Sequence, residues 1–158
     1  DQGNTPNACD LYFPTLKTTY RVINDNTKIP FSRSANGFDW GEINIWYPTP
    51  ELANVAASQI NVCGANDSGT ETSVGDNVLI LGYPTIGSAT DVTATEGIIS
   101  GYENEYYITS AKVEQGNSGG AAILLKNNCF IGTPTLAKVG NVESLARILR
   151  ADKIFQIY

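Results

Sequence analysis

Apolar positions along this chain fall at intervals of two or in short runs, and the gaps between them are filled by Gly, Pro, Asn, Asp, Ser and Thr. That spacing predicts many short strands joined by turns. Residues 11–14 and 18–23 predict two strands with a turn at 15–17, and Asp25-Asn26 closes the second. Residues 29–31 predict another short strand and 32–37 a loop. Within residues 38–47, Ile43 and Ile45 show the alternation of a half-buried strand, with Asp39 at its entry. Residues 48–59 contain Pro-Thr-Pro and an alanine-rich piece that predicts a short helical turn, and 60–63 a brief strand.

The ten residues 64–73 hold a single alanine as their apolar content and read as a surface linker between residues 1–63 and residues 74–158. The second part opens on the turn Val74-Gly75-Asp76. Val78-Leu79-Ile80-Leu81, ended by Gly82-Tyr83-Pro84, predicts a central buried strand. Residues 92–100 predict a strand with a bulge at Gly97, and Gly101 to Glu105 turn the chain into a strand at 106–109. Residues 121–125 and 129–133 predict a hairpin about Lys126-Asn127-Asn128. In residues 142–155, Val142, Leu145, Ala146, Ile148 and Leu149 share a face at helical spacing, which predicts one C-terminal helix. Short strands with a single terminal helix argue for paired antiparallel sheets or barrels, and no repeat of 20–50 residues is present.

Composition narrows the functions. The 158 residues are 42% hydrophobic and 16% charged, enough for a packed core. A net charge of −6 with no basic stripe argues against nucleic acid and anionic lipid as partners. No apolar run approaches the roughly 20 residues of a membrane span. The beginning of the chain carries no basic-then-apolar leader. Three cysteines, Cys9, Cys63 and Cys129, allow at most one internal disulfide, and their spacing is not that of a zinc or redox motif. Histidine is absent altogether, which removes the commonest metal ligand and the commonest general base. No metal and no organic cofactor is implied.

The candidate chemistry lies in Gly116-Asn117-Ser118-Gly119-Gly120. Three glycines within five residues describe a backbone that takes positive φ or comes close to another group, with a hydroxyl at its centre. Gly-Asn-Ser-Gly is equally good turn chemistry, so the tetrapeptide alone leaves both readings open. A carboxylate at a strand entry, as at Asp39, is commonly a turn-former.

The context adds a resemblance. Thr109-Ser110-Ala111-Lys112-Val113-Glu114-Gln115 followed by Gly116-Asn117-Ser118-Gly119-Gly120 resembles the nucleophile segment of trypsin-like (chymotrypsin-fold) serine proteases, most of all their HtrA-like bacterial branch. Val74-Gly75-Asp76 with Val78 to Pro84, Thr95 to Ser100, and Phe130-Ile131-Gly132-Thr133 resemble further blocks of that family in the same order. Asp39-Trp40-Gly41-Glu42-Ile43-Asn44-Ile45 resembles its acidic-residue segment, with Gly41 where the family prefers alanine. The correspondence runs over about residues 9–155.

The resemblance implies an all-β chain of two antiparallel β-barrels, the first incomplete over residues 1–63, with a C-terminal helix. It implies a serine endopeptidase in which Ser118 forms the acyl-enzyme and Asp39 orients the base. Backbone amides at Gly116 and Ser118 would hold the oxyanion, Asn117 supporting the loop between them. Val113, Gln115, Thr133, Pro134, Thr135 and Leu136 would wall the primary pocket. Val113 and Leu136 make that pocket small and apolar, whereas Lys112 turned inward would favour an acidic side chain. The family's histidine should precede Asp39, and none does. The expectation is therefore that the natural protein is longer at its N-terminus, with the histidine and the first strands in the missing piece, that a cleaved segment, a neighbouring chain or a rearranged N-terminus fills the gap in the first barrel, and that this chain alone is nearly inactive. Polypeptide substrate and an extracellular or periplasmic location go with this reading. The competing reading is a pseudoprotease, the same fold kept as a binding module. A third is an extracellular β-module binding polar ligands through its Asn/Thr/Ser-rich loops and Tyr102, Tyr106 and Tyr107.

Overall fold

The computed structural model describes residues 6–24, 31–33, 41–56, 60–63, 72–87, 90–139 and 144–155. The chain divides into two compact units, residues 1–59 and residues 60–158. The first unit holds an antiparallel hairpin of β1 (Ala8–Phe13) and β2 (Thr18–Ile23), in register from Ala8 opposite Ile23 to Phe13 opposite Thr18. Its turn is closed by Leu16 N–H donating to the Phe13 carbonyl at 3.1 Å and Lys17 N–H to that of Pro14 at 3.2 Å. A second two-stranded antiparallel sheet pairs β3 (Phe31–Arg33) with β4 (Gly41–Ile43). The short helix α1 (Pro50–Ala56) starts where the predicted helical turn lies. Thr49 Oγ1 caps it by accepting from Leu52 N–H at 3.3 Å, with proline at the first helical position and Glu51 near the positive end of the helix dipole.

The second unit is a closed six-stranded antiparallel barrel. Its strands are β5 (Asn77–Gly82), β6 (Thr93–Glu103), β7 (Tyr106–Thr109), β8 (Ala121–Leu124), β9 (Cys129–Val139) and β10 (Ser144–Arg150), closed in the order β10-β7-β6-β5-β8-β9. Alternation fills its interior: Val78, Ile80, Ile99, Ala122, Leu124, Ile131 and Ile148 point in and are essentially inaccessible to solvent. In place of the expected strand at 60–63 there is an isolated bridge from Val62 to Phe130, and Cys63 is disulfide-bonded to Cys129, so this segment belongs with the barrel and not with the first unit. Of the predicted linker, residues 64–71 lie outside the described residues.

Two expectations are corrected. Residues 144–150 form the last barrel strand, and the C-terminal helix α2 is only Ala151–Phe155. The segment carries two periods at once. Leu145, Ile148 and Leu149 fit a helix, but Ala146 and Ile148, two apart, are buried, as is Leu149, while Leu145 is exposed. Closing the barrel between β7 and β9 gains two rows of backbone hydrogen bonds, which outweighs local helical preference. The bulge in β6 falls between Ile99 and Gly101 and not at Gly97. Cys63 and Cys129 form the single internal disulfide that three cysteines allow, leaving Cys9 as a half-buried free thiol.

The turn before β5 is tied by Asp76. Its Oδ2 accepts from Ser73 N–H at 2.7 Å and pairs with Lys126 Nζ at 2.7 Å, and both hold the carboxyl below its ordinary value of 3.8, the lysine first. A carboxyl lowered on folding contributes stability above its unfolded value and loses it as pH falls through the folded one. Asp76→Asn is therefore expected to melt earlier than wild type at neutral pH, with the gap closing as pH drops below 3.8. Melting curves taken across pH 2–7 by circular dichroism check this, and a gap constant over that range contradicts it.

Candidate functional site

The connection from β7 to β8 must reach across two strands, because β6 and β5 lie between them in the barrel. Residues 110–120 therefore run over one end of the barrel, and the glycines mark where they cross. On β6, Thr95 Oγ1 donates to the Lys112 carbonyl at 2.6 Å, and a Cβ on Gly97 would lie 2.2 Å from Ala111 N. On β5 and just beyond it, Thr85 N–H donates to the Gln115 carbonyl at 2.9 Å. A Cβ on Gly116 would sit 2.6 Å from the Tyr83 carbonyl oxygen, and one on Gly120 2.2 Å from that of Leu81. Gly97 is thus a place of close backbone approach, which is why no side chain fits there.

Within the loop the amides divide into two sets. Asn117 N–H donates to the Glu114 carbonyl at 3.0 Å, Gly119 N–H to Pro134 at 3.1 Å and Gly120 N–H to Asn117 at 3.0 Å. The amides of Gly116 and Ser118 have no acceptor among the described residues. Their direction follows from peptide planarity. In a trans peptide the N–H points opposite to the preceding carbonyl, and no cis bond is present among the described residues. The Gln115 carbonyl is held by Thr85 and the Asn117 carbonyl by Gly120, so the Gly116 and Ser118 amides are aimed by bonds made on the far sides of their own peptide planes. Gly116, with φ 99°, and Gly119, with φ 82°, supply the left-handed geometry that this path requires.

Ser118 is exposed and, with Gly116, Gly119 and Gly120, borders a cleft of about 540 Å³. The rest of the cleft wall is Leu81, Gly82, Tyr83, Val92, Ala121, Phe130 and Thr133. Of the residues expected to shape a pocket, Thr133 reaches this cleft and keeps its Oγ1 buried without a partner among the described residues. Val113 packs against the barrel core instead. Gln115 is exposed and bonded through its carbonyl, Pro134 is buried and receives the Gly119 amide, and Thr135 Oγ1 donates to the Arg147 carbonyl at 3.5 Å. Lys112 is exposed. The side chain of Leu136, and Asp39 entirely, lie outside the described residues.

Asn117 is the buried member of the loop, 1% exposed, with its Oδ1 unpartnered among the described residues and lying against Gly82. Leu81, Gly82, Tyr83, Val92 and Phe130 are site-lining residues that strand periodicity could not single out. An apolar residue facing a cleft and one facing a core look the same in a sequence. Among the described residues no three His, Cys, Asp or Glu side chains converge to hold a metal ion. No helix among them is long and apolar enough to cross a membrane.

No family model matches the chain, and no curated protein matches it. Among solved structures it is similar to the crystal structure of the serine endoprotease from Yersinia pestis, with 25% identity and a TM-score of 0.52 over 72% of this chain. The match takes in 36% of that protein, so the chain spans about a third of its length. With its six-stranded antiparallel barrel and short terminal helix, the chain is a superfamily-level match to the trypsin/chymotrypsin-fold serine proteases.

Proposed function

We propose that the barrel of residues 60–158 is the nucleophile-bearing part of a serine endopeptidase. Ser118 Oγ attacks a peptide carbonyl, and the Gly116 and Ser118 amides receive the oxygen as it becomes negative. The observation that carries this reading is the division of the loop amides. Those of Asn117, Gly119 and Gly120 are bonded within the protein, while the two flanking Asn117 are aimed and left without an acceptor among the described residues, beside an exposed hydroxyl. Such preset donors stabilise a tetrahedral intermediate because they need no reorganisation when charge develops, and removing one typically costs 10²–10³ in rate.

A serine hydroxyl needs a base to take its proton. These 158 residues contain no histidine, so they cannot supply an imidazole and the chain alone is expected to be nearly inactive. Asp39 is the proposed orienting carboxylate for an imidazole brought from outside them. The complete absence of histidine equally favours a second reading, in which the same fold is kept as a binding module for polypeptide segments. The Cys63–Cys129 disulfide supports placement of either in an oxidising compartment, outside the cytoplasm.

The two readings separate on reaction with a fluorophosphonate probe in the presence and absence of added imidazole. For an acyl-transfer site, the label maps to Ser118 by mass spectrometry. Imidazole at tens of millimolar is expected to speed its attachment at least tenfold, and Ser118→Ala abolishes it. Labelling that ignores imidazole, or that is as fast in Ser118→Ala, overturns the proposal and leaves the binding module.

A further inference from the structure

We propose that Gly82, at the end of β5, is a positioning residue for the Ser118 loop: by lacking a side chain it seats Asn117, and the seated Asn117 sets the direction of the Gly116 and Ser118 amides. The proposal deepens the reading of Ser118 as a nucleophile and, for its effect on reactivity, rests on it.

The residues involved are far apart in sequence and in contact in space. A Cβ on Gly82 would lie 2.6 Å from Asn117 Oδ1, 3.2 Å from its Cγ and 3.1 Å from its Cα. The first is a non-bonded overlap that real Cβ atoms do not show, and the last is a tight contact with main chain, so a rotamer change of Asn117 relieves the first but not the last. Asn117 has no solvent to retreat into, being 1% exposed. It has to move as a residue, and its backbone is the hub of the loop. Its N–H is bonded to the Glu114 carbonyl and its own carbonyl receives the Gly120 amide. The Ser118 amide shares a rigid plane with that carbonyl, and the Gly116–Asn117 peptide is the next plane back. A displacement of Asn117 therefore re-aims Ser118 N–H directly and Gly116 N–H through its neighbour.

Glycine at 82 does not serve a turn. Its φ is not in the left-handed region, unlike those of Gly116 and Gly119. Its role is space, and the space is occupied by one residue of the candidate site. Alanine at this position is therefore a test of aim and not of backbone conformation.

The experiment uses the whole chain, ¹⁵N-labelled, as Gly82→Ala beside Gly101→Ala. Gly101 is a control in the neighbouring strand, where a Cβ meets nothing within 4 Å. Gly82→Ala is expected to move the Gly116 and Ser118 amide resonances and to slow imidazole-assisted fluorophosphonate labelling of Ser118 at least tenfold, while Gly101→Ala does neither. Asn117→Ala removes the Oδ1 and Cγ atoms that the new methyl would strike. In that background Gly82→Ala should add less than half of its single-variant effect on a logarithmic scale, the non-additivity expected of two residues acting through one contact. Fully additive effects, or unchanged resonances with labelling within twofold of wild type, overturn the proposal. Should Gly82→Ala not fold, Asn117→Ala empties the same seat from the other side and must shift both amides; unshifted amides again overturn it. If the wild type never labels at Ser118 but Gly82→Ala still shifts the two amides, the positioning role stands and the nucleophile reading falls.

Discussion

Alanine at Gly132 is expected to cost the barrel at least about 3 kcal/mol, in the range reserved for overpacking against groups that cannot yield. Gly132 lies in β9, opposite Ala122 of β8 on one side and Arg150 of β10 on the other, so it has a paired strand on both flanks. Its φ of 152° places an added Cβ 1.9 Å from the Leu149 carbonyl oxygen and 3.0 Å from Ile148 Cγ2. Ile148 and Leu149 are both fully buried, and the carbonyl belongs to a strand that closes the barrel. Relief requires β9 and β10 to part where the barrel shuts. For a domain of this size, 3 kcal/mol lowers the melting temperature by more than about 12 °C. The consequence reaches the candidate site, because two residues further on the Pro134 carbonyl holds the Gly119 amide. Reactivity at Ser118 should fall along with stability. A Gly132→Ala chain that melts within about 3 °C of wild type would show that the strands adjust freely here, contrary to the close packing of barrel interiors.

What the order of residues reveals about this fold depends on whether the relevant interaction is local. The β1–β2 hairpin, the capped helix α1 and the β8–β9 hairpin are each determined within a few residues, by alternation and turn chemistry, and all are legible. Residues 144–150 are not, since Leu145, Ala146, Ile148 and Leu149 satisfy both periods and the choice is made by β7 and β9, which are distant in the chain. The same holds for the glycines. Gly116 and Gly119 announce a loop by their number and spacing, whereas Gly97 and Gly82 are single glycines inside strands. Their reason is a crossing segment that only the barrel's strand order creates. Of the candidate site, the serine and its amides are carried by one contiguous motif and so can be read directly. The cleft beside them is assembled from β5, β8, β9 and the residue just before β6, and its lining residues carry no mark that distinguishes them from core.

Removing the Cys63–Cys129 bond should destabilise the barrel by roughly 4 kcal/mol in the chain-entropy account, because it closes a long loop of 66 residues in the unfolded chain. The bond joins the segment entering the barrel to the first residue of β9, beside the bridge between Val62 and Phe130 and the 2.9 Å hydrogen bond from Cys63 N–H to the Phe130 carbonyl. Both sulfurs are buried with the core, so Cys63→Ala/Cys129→Ala changes little volume and leaves the backbone contacts to hold the segment alone. In urea, with slopes of about 1–3 kcal/mol/M, the midpoint should drop by about 2 M, and adding reductant to the wild type should reproduce the drop. Phe130 lines the cleft that Ser118 borders, so loosening its neighbour is also expected to slow labelling of Ser118 before the barrel melts. The free thiol of Cys9 serves as the internal control, since Cys9→Ala removes a half-buried sulfur that closes no loop and should leave the barrel's midpoint in place. A double variant as stable as wild type would mean that strand pairing alone fixes residues 60–63, and that the unfolded chain is already compact enough for the cross-link to remove little of its freedom.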